Sequence, residues 1–139
     1  MKSGIILGAA ALIAFGGTTP ALAQAPDSLM TTLDSVFTAE EAARGKELYL
    51  QNCAECHAMD WYKGNVALAW EGVSINGLLE MISTTMPETS PGSLERRQYL
   101  DVLAYILELN GLPPGRAVLP TDRTALTRIR FAFPKERGK

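Results

Sequence analysis

The chain has 139 residues, 47% of them hydrophobic, with 13 basic and 15 acidic side chains and a formal net charge of −2 at pH 7. A chain of this length holds one compact domain and is too short for two, and its charge is not the strongly basic footprint of a nucleic-acid binder. Two cysteines and one histidine cannot complete the four ligands of a tetrahedral zinc site.

The amino terminus reads as an export signal. Lys2 gives a short basic start, Ile5 to Phe15 form an apolar run interrupted only by Gly8, and Ala21-Leu22-Ala23 is a small-x-small cleavage site. Residues 1–23 are therefore expected to be removed, leaving about 116 residues that begin at Gln24. An uncleaved anchor is the other reading, but the run is shorter than the about 20 residues that span a bilayer. No second hydrophobic span follows, so the expected product is soluble and periplasmic.

Residues 24–37, with Pro26 and Ser28 and with Leu29, Leu33, Val36 and Phe37 as packing points, read as a leader lying on the domain. Thr38-Ala39-Glu40-Glu41 is a capping box with acidic residues where the helix dipole favours them. The helix it starts should run to about Asn52, with Ala42, Gly45, Leu48 and Tyr49 on one face. A glycine inside a helix costs about 1 kcal/mol against alanine, so Gly45 marks close packing with a second helix.

Cys53-Ala54-Glu55-Cys56-His57 follows. Two thiols three positions apart can each form a thioether with one of the two vinyl groups of a haem, and the adjacent imidazole then lies under the iron as the proximal ligand. The competing readings are a redox disulfide, which would need strands and crossover helices that the pattern lacks, and half a zinc site, which the ligand count excludes. A large apolar cofactor would also enlarge the core of so small a domain, coupling folding to haem attachment.

Ser74 caps a short helix, about Ile75 to Ser83, with Asn76-Gly77 in its first turn and Leu78, Leu79 and Ile82 facing inward. A sixth iron ligand is still required. The single histidine excludes a bis-histidine haem within one chain, and methionine is the usual alternative in electron-transfer haems. Met59 is too close to His57 to reach the opposite face of the ring. Met81 falls at a helical core position, and Met30 is remote in sequence but stays formally open. Met86 stands in Thr84-Thr85-Met86-Pro87, where the proline ends helical structure and a loop can present the side chain, so it is selected as the ligand.

The next helix begins at Ser93, after Pro91-Gly92, and runs to about Leu109 before Asn110-Gly111. Tyr99, Val102, Leu103, Ile106 and Asn110 form a stripe that Leu100, Tyr105, Leu107 and Leu109 broaden, so this helix packs on more than one side. No alternating strand pattern precedes residue 127. Beyond Pro113-Pro114-Gly115 the tail reads as a turn at Leu119-Pro120-Thr121-Asp122, a short helix, a strand-like Arg128-Ile129-Arg130-Phe131, and a charged, frayed end after Phe133-Pro134. It either wraps the domain or docks on a partner.

The motifs together resemble a class I c-type cytochrome, and within that family the monohaem cytochromes associated with periplasmic quinoprotein and other dehydrogenases. The residues concerned are Gly45-Lys46-Glu47-Leu48-Tyr49 leading into Cys53 to His57, then Trp70-Glu71-Gly72, Thr84 to Pro87, Pro91-Gly92-Ser93-Leu94 and Tyr99 to Leu107. They span about residues 38 to 115. The resemblance implies an all-α, cytochrome c-like fold of three or so helices around one covalently bound haem c, with the first and last helices crossed and Gly45 and Tyr49 meeting the last helix around Tyr105. It implies His57 and Met86 as axial ligands, Cys53 and Cys56 as the attachment points, and Trp70 near the haem as a propionate contact; the alternative for Trp70 is an ordinary core aromatic. The segment from His57 to Trp70 is shorter than usual in that family, which implies a more open haem edge, with Asp60, Trp61, Tyr62 and Lys63 as substitute cover.

The expected organisation is a signal peptide (1–23), a leader (24–37), a cytochrome domain (38–112) and a basic extension (113–139). The expected function is one-electron transfer in a respiratory chain rather than catalysis, from a periplasmic dehydrogenase to an oxidase or another cytochrome. A haem-based sensor or weak peroxidase with a labile sixth ligand is the alternative. Charge is polarised: Asp27 to Asn110 carry 13 acidic and 5 basic residues, a balance of −8, and Gly111 to Lys139 carry 7 basic and 2 acidic, a balance of +5. Such patches steer encounter with a charged partner, or else simply hold a basic tail against an acidic surface.

Overall fold

A computed structural model describes residues 29–64 and 68–134. The signal peptide with its cleavage site, the start of the leader and the charged end from Lys135 lie outside the described residues. Helices α1 (Ala39–Asn52), α2 (Ile75–Thr85), α3 (Arg96–Leu109) and α4 (Arg123–Thr127) dominate, with a minimal parallel pair of strands, β1 (Met30–Thr31) and β2 (Ile129–Arg130). None of the described helices is long and apolar enough to cross a membrane.

The capping box is formed as the sequence predicts. Thr38 Oγ1 accepts from the Glu41 N–H at 3.2 Å, and Glu41 Oε2 accepts from the Thr38 N–H at 2.9 Å. Ser74 caps α2 by accepting from the Gly77 N–H at 3.0 Å. The third helix starts later than expected, at Arg96 rather than Ser93, because the Gln98 side chain reaches back to accept the Glu95 N–H at 2.8 Å.

Helices α1 and α3 form the centre of the core. An added Cβ at Gly45 would overlap the main-chain carbonyl of Asp101, so only glycine permits this approach. The contact falls where expected, around Tyr105: Tyr49 reaches Tyr105, with ring centroids 5.4 Å apart, and Gly45 meets Asp101 and Val102 one turn earlier. The reason is the one-turn offset between Gly45 and Tyr49 along α1. Beside the glycine, Arg44 grips the buried Asp101 carboxylate in a fork, Nε to Oδ2 at 2.8 Å and Nη2 to Oδ1 at 2.9 Å. Every residue of α3 from Tyr99 to Leu107 is buried, as expected of a helix packed on several sides.

The tail belongs to the same core. Leu119, Leu126, Ile129 and Phe131 are buried in one cluster with α1, α2 and α3 residues, and so are Val36 and Phe37 of the leader. Asp122 caps α4 by accepting from the Ala125 N–H. Alternation in Arg128 to Phe131 puts Ile129 and Phe131 inside and Arg130 outside. Strand β1 was not foreseen: two residues carry no readable period, and Met30 is held by pairing with Ile129 across the chain. Thr32 extends this tie, its hydroxyl donating to the Ala132 carbonyl at 2.6 Å while accepting the Ala132 N–H at 2.9 Å.

Buried Glu41 joins three parts of the chain. Besides capping α1 it pairs with Arg97 of α3 at 2.7 Å and accepts from the Leu119 N–H at 3.1 Å, while Arg97 also donates to the Leu119 carbonyl at 2.7 Å. A buried carboxylate is tolerable only when paired and hydrogen-bonded in this way. Two apolar expectations fail. Met81 is 48% exposed rather than core, and Leu29 and Leu33 are exposed while their neighbours Val36 and Phe37 are buried; α2 offers its inner face through Ile75, Leu78 and Leu79.

Candidate haem-binding site

Helix α1 ends by turning into the cysteine motif. The Cys53 and Ala54 N–H groups both donate to the Tyr49 carbonyl, at 2.8 and 3.0 Å, and the Cys56 and His57 N–H groups return to the Cys53 carbonyl at 3.2 and 2.9 Å. The motif is thus a compact turn on the end of a helix that buries one face, through Glu41, Ala42, Gly45 and Tyr49. Both thiols are free; Cys53 is half-buried and Cys56 exposed, and burial raises the Cys53 pKa. Tyr49 donates its hydroxyl to the His57 carbonyl at 2.6 Å. Burial, with smaller contributions from Cys53 and Tyr105, pushes the Tyr49 pKa up to about 12, which keeps it a donor. Burial also raises the pKa of Tyr62, whose ring lies 5.8 Å from that of His57.

A cavity of about 350 Å³ opens beside this turn. Cys53, Cys56 and His57 line one part, Ile82, Met86 and Pro87 another, and Leu94, Tyr99, Val102 and Ile106 supply apolar wall from α3 and the segment before it. Glu55 and Glu88 also border it. Met86 caps α2, its N–H donating to the Ile82 carbonyl at 2.8 Å, and its own carbonyl accepts from the Tyr99 hydroxyl at 2.7 Å. Cys53, Cys56, His57 and Met86 therefore border one space with apolar walls, and two thiols, an imidazole and a thioether are a donor set that fits a covalently attached haem.

The other methionines lie elsewhere. Met30 is in β1 and lines a separate depression beside the tail. Met59 accepts a hydrogen bond from the Tyr105 hydroxyl at 3.3 Å, and Met81 is on the exposed side of α2. Trp70 is not among the cavity-lining residues. It stands between Tyr62 and Phe131, with ring centroids 5.8 and 5.9 Å away, in the aromatic packing that joins the motif to the tail. Tyr62, expected as cover for the haem edge, does line the cavity, and Tyr99 is a site residue that sequence reasoning missed. Tyr99 read only as a core position, yet a buried tyrosine hydroxyl must find an acceptor, and that requirement was the available signal.

Residues 40–106 match the family model described as cytochrome c oxidase, cbb3-type, subunit III. The matched span takes in most of α1, the cysteine motif, α2, Met86 and most of α3. It supports a c-type cytochrome domain, which fits electron transfer through a haem. No curated protein and no solved structure matches the chain.

Proposed function

We propose that this chain is a monohaem class I c-type cytochrome of the periplasm, carrying single electrons from a dehydrogenase to an oxidase or another cytochrome. The reading is supported above all by the shared lining of one cavity by Cys53, Cys56, His57 and Met86. When bound, a haem supplies a one-electron Fe(II)/Fe(III) couple, and that chemistry belongs to the cofactor. Cys53 and Cys56 would hold its edge by thioethers. His57 would supply the proximal nitrogen and Met86 a soft sulfur that favours the reduced state and raises the potential. Together they would hold the iron and would leave no position on it for a substrate. The apolar walls from α3 would shield one side of a bound haem from water, which disfavours the extra charge of the ferric form.

The test is a spectrum of the matured full-length protein. The ferric form is expected to show a sulfur-to-iron charge-transfer band, and the reduced form to resist carbon monoxide. Met86→Ala should abolish the band, open the reduced form to carbon monoxide and lower the potential by on the order of 0.1 V, within the ~0.8 V that axial ligation spans. A five-coordinate wild-type spectrum would support the sensor or peroxidase reading instead.

Electrostatics bear on the partner. Glu55 and Glu88 border the cavity, and no lysine or arginine lines it among the described residues. A cationic donor face suits such an opening. Reduction by a small cationic complex such as hexaammineruthenium(II) should slow about tenfold between low and high salt, the lower end of the ~10–10³ range of electrostatic steering; a rate indifferent to salt would reject steering.

A further inference from the structure

The two ligand candidates are held at their backbones in the same manner, each from a different central helix. On one side the His57 N–H is tied to Cys53 and its carbonyl to the Tyr49 hydroxyl of α1. On the other the Met86 N–H is tied to Ile82 and its carbonyl to the Tyr99 hydroxyl of α3, at 2.8 and 2.7 Å. The requirements of the two sides differ. His57 adjoins Cys56, so covalent attachment already restrains it. Met86 has no such anchor: it is followed by Pro87 and by the exposed Glu88, Thr89 and Ser90, and its side chain has three rotatable bonds and adapts to whatever space it is given. The reach of its sulfur therefore depends on where the main chain is fixed. Tyr99, 3% exposed and itself part of the cavity wall, supplies that fixed point from the most buried helix of the domain.

We infer that Tyr99 is a positioning residue for Met86, its hydroxyl holding the Met86 carbonyl so that the sulfur stays directed into the cavity. The inference rests on the reading of Met86 as the sixth ligand. Removing the hydroxyl leaves a partly buried carbonyl without its donor, and the loop then releases the sulfur more often.

Imidazole added to the ferric full-length holoprotein competes with Met86, and loss of the sulfur-to-iron band gives the rate of release. Tyr99→Phe keeps the buried ring, so the holoprotein persists, and release is expected to accelerate about tenfold for the loss of one buried hydrogen bond. Tyr105→Phe is the control. It removes another buried hydroxyl of the same helix, one that meets Met59 rather than a cavity ligand, and should release Met86 at the wild-type rate even where its melting temperature falls equally. An unchanged rate in Tyr99→Phe, or equal acceleration in Tyr105→Phe, overturns the inference while the Met86 assignment stands. Absence of the band from the wild-type protein overturns the assignment itself, and the inference with it.

Discussion

A chain ending at residue 115 is expected to lose its cooperative thermal transition altogether. The deleted segment contributes Leu119, Leu126, Ile129 and Phe131 to the central core, each 4% exposed or less. Truncating a single buried side chain of this size costs about 2–5 kcal/mol, so losing four approaches or exceeds the ~5–15 kcal/mol that holds a typical domain together. The deletion also strips Glu41 of the Leu119 N–H and Arg97 of the Leu119 carbonyl, exposing a carboxylate whose burial depended on both. Circular dichroism melting of the matured protein measures this. The single change Phe131→Ala should lower stability by about 3–5 kcal/mol and leave a folded protein in which electron transfer can be assayed. A truncated chain that melted like the full one would show that the tail serves a partner rather than the fold.

The second large effect reverses an ordinary rule. Replacing a glycine inside a helix by alanine normally stabilises by about 1 kcal/mol. Gly45→Ala should instead destabilise by about 2–3 kcal/mol, because the new methyl would occupy the space of the Asp101 carbonyl and overpacking costs about 1–3 kcal/mol where nothing can yield. The obstruction is main chain, so α1 and α3 must separate. Separation also weakens the Arg44–Asp101 fork and the contact of Tyr49 with Tyr105. Gly45→Val should go further and prevent accumulation of the matured protein. Urea unfolding of Gly45→Ala beside the wild type reads the sign directly, and a stabilised Gly45→Ala would refute the close approach.

What could be read from the sequence was mostly local chemistry. Thr38 with Glu41 and Ser74 before α2 carry their caps within four residues, and Arg128 to Phe131 carries its alternation in the side chains themselves. The pentapeptide from Cys53 to His57 is likewise a local pattern, as is Pro87 ending the helix at Met86. What escaped depends on distant partners. The second duty of Glu41 needs Arg97, 56 residues away, and β1 exists only because residue 129 comes alongside residue 30. Met81 has the right period for the core, but α2 satisfies its inner face with Ile75, Leu78 and Leu79 and turns Met81 outward. Gly45 lay between these cases: its presence announced a close neighbour, and the neighbour is Asp101, a turn earlier on α3 than Tyr105.

The tie between Thr32 and Ala132 spans 100 positions, and this bears on the order of events during synthesis. The core cannot close until its last hydrophobic residues have been made, since Phe131 and Ile129 must come back to the start of the domain. Until then Glu41 lacks the Leu119 N–H that it accepts from and Thr32 lacks Ala132, so both ends of the domain are fixed only when the tail arrives.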